Sequence, residues 1–197
     1  MELREAIRRR RMVRRFDPRP VPAELLDRVL ESALHAPSAG FSQGLDLLVL
    51  QGAEAVAGFW RTTADPAREQ PYSTAEPAAI VLVLSNRQAY LDRYAAPDKA
   101  GLGMDVEAGW PLPYWDLDAA MAAMLLLLAA VDAGLGGWFL GVFHGEAELL
   151  AGLGVPPGHR LIGAVALGWP AADDRPSGSP RTRRRRTLAE IVHYGRW

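Results

Sequence analysis

The sequence predicts a mixed helix-and-strand domain, and three observations carry that prediction. Apolar residues recur at helical spacing in "VPAELLDRVLESALHA", where Leu26, Val29, Leu30 and Ala33 share a face. Two short apolar runs, "LDLLVLQ" (Leu45 to Gln51) and "AAIVLVLS" (Ala78 to Ser85), have the length of strands, the second suited to burial on both faces. The run from Ala119 to Val131 is too long for a strand and apolar all round, which predicts a helix buried on every side, at the centre of the core or at a subunit interface.

The other elements fall between these. "MELREAIRRR" reads as a short first helix, and the second has Pro22 near its first turn and Pro37 as its stop. "AEAVAGFWRT" is a third helix between the two strands. From Tyr94 to Trp115 there is no clear periodicity, and a loop of that length in a compact domain is a functional lid or a disordered piece. Asp116 and Asp118 stand where N-cap or first-turn acids of the apolar helix belong, and Gly134 where its C-terminal glycine belongs. A strand "LGGWFLGVF", a short helix "GEAELLAGL" and a last strand "HRLIGAVALGW" follow. The tail, residues 170–197, is polar and proline-rich up to Leu188 and ends in a short amphipathic piece.

Composition narrows the function. The 197 residues fit one domain spanning 1–197, and a formal net charge of -1 gives no overall pull towards nucleic acid or membrane. The absence of cysteine excludes disulfides, thiolate chemistry and cysteine-ligated metals, so any redox chemistry needs a bound cofactor. Lys99 is the one lysine among many arginines, and with the wealth of Ala, Gly and Pro this suggests a bacterial coding style. Arginines stand where an export signal needs its apolar core, and the apolar run is well short of the ~20 residues that span a bilayer. A cytoplasmic protein is the expectation.

Several motifs compete for attention. Gly40-Phe41-Ser42-Gln43-Gly44 fits the G-x-S-x-G pattern of a hydrolase nucleophile, but it follows a helix and precedes a strand, the reverse of what such an elbow requires. "GLGG" lacks the third glycine of a dinucleotide fingerprint, since Phe139 stands there. His35, His144, His159 and His193 show no close metal-ligand pairing, so no metal site is expected. Arginines cluster at both ends: Arg10, Arg11, Arg14 and Arg15, then Arg181 and Arg183 to Arg186. Guanidinium groups make bidentate, charge-assisted bonds to phosphate; the alternatives are solvated faces or a nucleic-acid patch.

Taken together, "RRRRMVRRFDPRPVP", "APSAGFSQG", "AGLGGWFLGVF", "LGVPPGHRLIGAVALGWP" and "RRRRTLAEIVHYGRW" resemble, in order and over nearly the whole chain, the nitroreductase family of FMN-dependent reductases. The resemblance implies an α+β fold, with a central mixed, mainly antiparallel sheet wrapped by helices. It implies an intimate homodimer with the tail extending onto the partner subunit. FMN is the implied cofactor, with NADPH or NADH as electron donor and an electron-poor small molecule, such as a nitroaromatic or quinone, as acceptor. A specialised flavin-fragmenting or reductive dehalogenase member, or a non-catalytic flavin-binding protein, is the alternative. Neither nucleic acid nor membrane is an implied partner. By resemblance the cofactor site comprises Arg10, Arg11, Met12, Arg14, Pro37, Ser38, Ala39, Gly40, Gln43, Gly136, Gly137, Trp138, Arg183 and Arg185. Phe41, Tyr114 and Trp115 would shape the acceptor pocket, and no side-chain acid or base is required because the flavin N5 carries the chemistry. Three positions depart from the family pattern: Met12 replaces a serine, Phe41 an asparagine and Gly44 a proline. The first two changes remove a hydroxyl from the phosphate side and a polar group from beside the flavin.

Overall fold

The computed structural model describes residues 1–67, 76–176 and 178–197. Along the described chain run α1 (Leu3–Arg9), β1 (Phe16–Asp17), α2 (Ala23–Glu31), β2 (Leu45–Gln51), α3 (Ala53–Thr62), β3 (Ala79–Asn86), α4 (Arg87–Ala95), α5 (Tyr114–Asp132), β4 (Gly136–Leu140), α6 (Glu146–Gly152) and β5 (His159–Pro170). The long β5 is the hub of the sheet. It pairs with β3 and β4, and its last two residues pair with β1, while β2 lies against β3. Every one of these pairings is antiparallel, and a single bridge between Met12 and Gly137 is parallel.

Strand β3 explains how the layers are built. Successive side chains of a strand point to opposite faces. Ala79, Val81 and Val83 therefore enter one cluster with α2 and α5, through Leu26, Val29, Ala122 and Leu126. Ile80, Leu82 and Leu84 enter the other, against Val56 and Phe59 of α3 and Leu149 of α6. Helices thus cover both faces of an antiparallel sheet, which is why β3 reads as a continuous apolar run.

Three expectations change in the structure. Helix α2 stops at Glu31 and tightens into a 3-10 turn over Ser32–His35, where the Ser32 hydroxyl donates to the Val29 carbonyl at 2.6 Å. Helix α5 begins at Tyr114, so Tyr114 and Trp115 form its first turn rather than the end of a loop, and Asp118 is buried inside the helix. By length and composition alone α5 could cross a membrane. Its packed side instead lies on the sheet through Ala119, Ala122, Ala123, Leu126 and Ala130, and within its own chain it is buried on that side only, with Leu117, Met121 and Met124 exposed.

The region around residues 94–115 is more ordered than its sequence suggests. Helix α4 precedes it, capped by Asn86, whose side chain accepts from the Ala89 amide; with Tyr90 as its one buried residue it carries almost no apolar pattern to read. Short 3-10 turns follow at Pro97–Lys99 and Glu107–Gly109. Tyr90, Trp110 and Trp115 form a buried aromatic cluster that Tyr94 and Tyr114 join at its rim. Beyond Arg175 the described tail is almost wholly exposed, including Leu188, Ile191, Tyr194 and Trp197.

Candidate functional site

The N-terminal arginines form an arm along the edge of β4. The Val13 amide donates to the Gly137 carbonyl at 3.0 Å, and the Val13 side chain fills the space that glycine leaves at position 136, where a Cβ would come within 2.8 Å of it. A Cβ on Gly137 would meet Leu127 at 2.8 Å. Both glycines expected beside the cofactor are therefore required for close packing of the arm and of α5 on β4. Met12 turns inward, its sulfur accepting from the Phe139 amide at 3.4 Å.

The arm is fastened from the other side by Asp174, which is only 4% exposed. Its Oδ1 accepts from the amides of Arg14 at 3.1 Å and Arg15 at 2.9 Å, and its Oδ2 pairs with the Arg11 guanidinium. Arg11 is thus turned to Asp174, while the Arg14 guanidinium lies over the Trp138 ring, 5.4 Å from its centroid. Arg10 carries a buried Nη1 without a hydrogen-bond partner among the described residues. A buried donor left unpaired costs about 1–3 kcal/mol, so such an atom points to an acceptor that a bound group would bring.

Beside Arg14 opens a cavity of about 220 Å³ floored by Trp138 and Trp60, whose rings stack with centroids 6.0 Å apart. The Trp60 Nε1 is a second buried donor without a described partner. The far wall runs from Leu140 to His144, and across it His144 Nε2 stands 3.8 Å from Asp65. Gly145, at φ 64°, lets this wall approach α3 so closely that a Cβ would lie 1.9 Å from the Thr62 carbonyl oxygen. The sequence reading missed Trp60, Asp65 and the stretch Leu140–His144. The available signal was "WFLGVF", where Gly141 interrupts a strand-like run just after the residues singled out.

The second half of the expected site lies elsewhere in the chain. Residues 37–43 form a tight loop in which Gly40, Phe41 and Gln43 all have left-handed φ values, 62°, 55° and 53°. For the two non-glycine residues that costs about 1–3 kcal/mol each, and such strain persists only where the surroundings impose it. Here they do. Ser42 Oγ donates to the Ala39 carbonyl at 2.6 Å, Ser38 Oγ accepts from the Gln43 amide at 3.1 Å, and Arg93 Nε donates to the Gly40 carbonyl at 2.9 Å. The buried Asp118 Oδ2 accepts both the Ala39 amide at 2.8 Å and the Tyr90 hydroxyl at 2.7 Å, and burial raises the Tyr90 phenol above its ordinary range. With its hydroxyl so engaged, Ser42 is a turn residue. Phe41 projects outward, 73% exposed, while Trp115 is only 5% exposed inside the aromatic cluster and Tyr114 is half-buried against Trp110.

Within one chain these halves stand apart. The loop is bonded to Asp118 near the start of α5, and the arm pairs with Gly137 just beyond its end; the 14 helical steps from Asp118 to Asp132 span about 21 Å. Arg183 and Arg185 lie in the exposed tail, and no described hydrogen bond or ion pair joins their side chains to the arm.

Fold and site together define an α+β protein with helices on both faces of an antiparallel sheet, and a half-site of guanidinium and indole donors suited to a flat, anionic group. The Nitroreductase family profile matches residues 7–169, and the chain belongs to that family. A Thermus thermophilus protein named NADH dehydrogenase is 30% identical, over 90% of this chain and 91% of that protein. Among solved structures, a nitroreductase-type protein from Desulfovibrio desulfuricans in complex with FMN superposes with a TM-score of 0.72 at 26% identity, covering 98% of this chain and 95% of that one. A nitroreductase family protein from Clostridium difficile gives the same TM-score at 21% identity, with both chains covered fully. The specialised alternatives raised by the sequence find no favour among these relatives.

Proposed function

We propose that this chain is an FMN-dependent oxidoreductase that takes hydride from NADH or NADPH and passes it to an electron-poor acceptor such as a nitroaromatic or a quinone. The observation that carries the reading is the arm with its neighbouring cavity: Arg10 Nη1 in the arm and Trp60 Nε1 at the cavity have no hydrogen-bond partner among the described residues, in a chain of this family. Bound FMN supplies a ring that accepts hydride at N5 and gives it up again. The chain supplies binding and field. Arg10 and Arg14 offer guanidinium donors to the phosphate and the pyrimidine edge, Arg11 holds the arm, and Arg183 and Arg185 approach from the tail. A cation near the N1/C2 edge favours the electron-rich form of the ring. Backbone of Pro37, Ser38, Ala39 and Gly40, with Gln43, lines the other side.

The reading requires a homodimer, and several features support one. Ligand pockets run to about 300–1,000 Å³, and the cavity beside Arg14, at about 220 Å³ within one chain, is smaller than that. Leu117, Met121 and Met124 form an exposed apolar stripe along α5, and Leu34 nearby is 77% exposed. Pairing α5 with its copy in antiparallel fashion covers the stripe and sets the loop of one subunit against the arm of the other, so each site is composite. The tail, whose apolar residues pack on little of their own chain, extends onto the partner. Phe41 and Tyr114, with the loop between α4 and α5, shape the acceptor pocket, Trp115 anchoring that loop from beneath; the protein acts in the cytoplasm.

The test is the visible absorbance of the purified protein, followed by anaerobic NADH or NADPH. A stoichiometric flavin band that bleaches is expected; a colourless protein that also refuses added FMN overturns the reading. Replacing residues 97–109 by a short linker changes the ranking of acceptors, and an unchanged ranking removes that loop from the pocket.

A further inference from the structure

Asp174 stands at the junction of two arginine clusters. It lies four residues beyond the end of β5, where the tail begins, and it is one of three buried polar or charged residues among the described ones, with Ser85 and Asp118. A carboxylate this deeply buried persists only when it is paired and hydrogen-bonded. All of its described partners belong to one short stretch: the Arg14 and Arg15 amides on Oδ1 and the Arg11 guanidinium on Oδ2. Two further bonds reinforce the junction. The Ala171 amide donates to the Arg15 carbonyl at 3.0 Å, and Arg15 Nη2 pairs with Asp173 at 2.8 Å.

These contacts have a directional consequence. Fixing the Arg14 amide fixes the Cα from which its side chain reaches over Trp138 into the cavity. Fixing residues 171–174 against the arm sets the point from which the tail, with Arg183 and Arg185, departs. The carboxylate also keeps Arg11 turned away from the cavity, whose lining includes Arg14 but not Arg11. One buried charge thereby separates an arginine that holds the structure from one that faces the ligand, in a stretch where composition alone makes them equivalent.

We propose that Asp174 is a positioning residue for the flavin site, acting through the Arg14 guanidinium and the origin of the tail without touching the cofactor; this rests on the FMN reading above. The experiment is a double-mutant cycle on FMN affinity, read by quenching of flavin fluorescence in apo-protein prepared from wild type, Asp174→Asn, Asp174→Ala, Arg14→Ala and the two Asp174/Arg14 double variants. Asp174→Asn keeps an oxygen acceptor for the two amides and loses the charge on Arg11. It is expected to weaken FMN binding about threefold, and Asp174→Ala about tenfold or more, as befits lost buried bonds to a charged group. In the Arg14→Ala background both losses shrink to the part transmitted through the tail, because the Arg14 route is gone. The reduction potential of the bound flavin falls in Asp174→Ala as the cation at its edge loses its fixed place, a readout that a purely structural role would leave unchanged.

If Asp174→Ala fails to fold, Asp174→Asn and its cycle with Arg14→Ala carry the test alone. Full additivity, or variants that melt earlier while binding FMN with unchanged affinity, overturns the proposal and leaves Asp174 a stabilising residue only. Wild-type protein that binds no FMN overturns the cofactor reading itself, an outcome distinct from either.

Discussion

The two arginine-rich ends of the chain have nearly the same composition and opposite structural fates. The N-terminal arm is knitted into the sheet: Val13 is 5% exposed, its amide is bonded to Gly137, and Asp174 clasps the backbone behind it. The C-terminal run from Arg181 to Arg186 is exposed throughout and is ordered only locally, by the pairing of Arg184 with Glu190 and the capping of a short turn by Thr187. The difference lies in the neighbours. Both ends carry four arginines in succession, but Arg8 to Arg11 lead into Met12 and Val13, which bond to and pack against residues 136–139 at the edge of β4, whereas Arg183 to Arg186 lead into Thr187 and an exposed Leu188. A preorganised half-site loses little freedom when ligand binds, and an unanchored one must be ordered by whatever it meets.

The contrast can be broken at its widest point by ending the chain at Pro176. The sheet and its two clusters contain no residue beyond that point, so the truncated protein is expected to keep its circular dichroism and its melting temperature, while FMN affinity falls about a hundredfold with two charge-assisted arginine contacts removed. Retained affinity would make the arm sufficient by itself. The arm is broken by a smaller change, Gly136→Val, which drives a branched side chain into Val13 where even a Cβ comes within 2.8 Å. Overpacking of that kind costs about 1–3 kcal/mol, measured as a lowered denaturant midpoint with the cofactor absent.

A third change sharpens the comparison with the other half-site. Phe41→Gly relieves a left-handed residue and is expected to stabilise the apo-protein by about 1 kcal/mol in chemical denaturation, while narrowing the difference in kcat/KM between apolar and polar acceptors. The smallest effect belongs to the tail. The Arg184 guanidinium, then the Thr187 amide and hydroxyl, hold the Glu190 carboxyl down at about 2, below its ordinary value of 4.5. Because the folded value is depressed, the contribution of this carboxylate is complete above pH 4.5 and disappears as pH falls towards about 2. Carboxyl NMR titration is expected to show Glu190 titrating well below a model glutamate, with the 187–190 turn loosening in the same window.

Most of the sheet was legible because its strands are short apolar runs bounded by glycine and proline: Leu45–Gln51 matches β2 residue for residue, and the second run is offset from β3 by a single residue. Helix α4 was not legible, since a helix that buries only Tyr90 has no apolar face to betray it. Of the candidate site, the arginine arm stood out in the sequence because clustered guanidinium groups are what a phosphate site, as proposed here, would draw on. The roles of Gly136 and Gly137 could not, because close packing and close approach to a ligand both ask for glycine. Trp60, Asp65 and His144 escaped for another reason: they come from segments far apart in sequence, and only folding makes them neighbours.

Helix α5, with one half-site at each end, gives the proposed dimer a genetic property. A subunit defective only in its arm and a subunit defective only in its loop are each inactive as pure dimers. When the two are mixed and allowed to exchange, each mixed dimer contains one site with both defects and one with neither. Random exchange therefore restores about a quarter of the wild-type activity from two dead proteins, whereas a site built within a single chain would restore none.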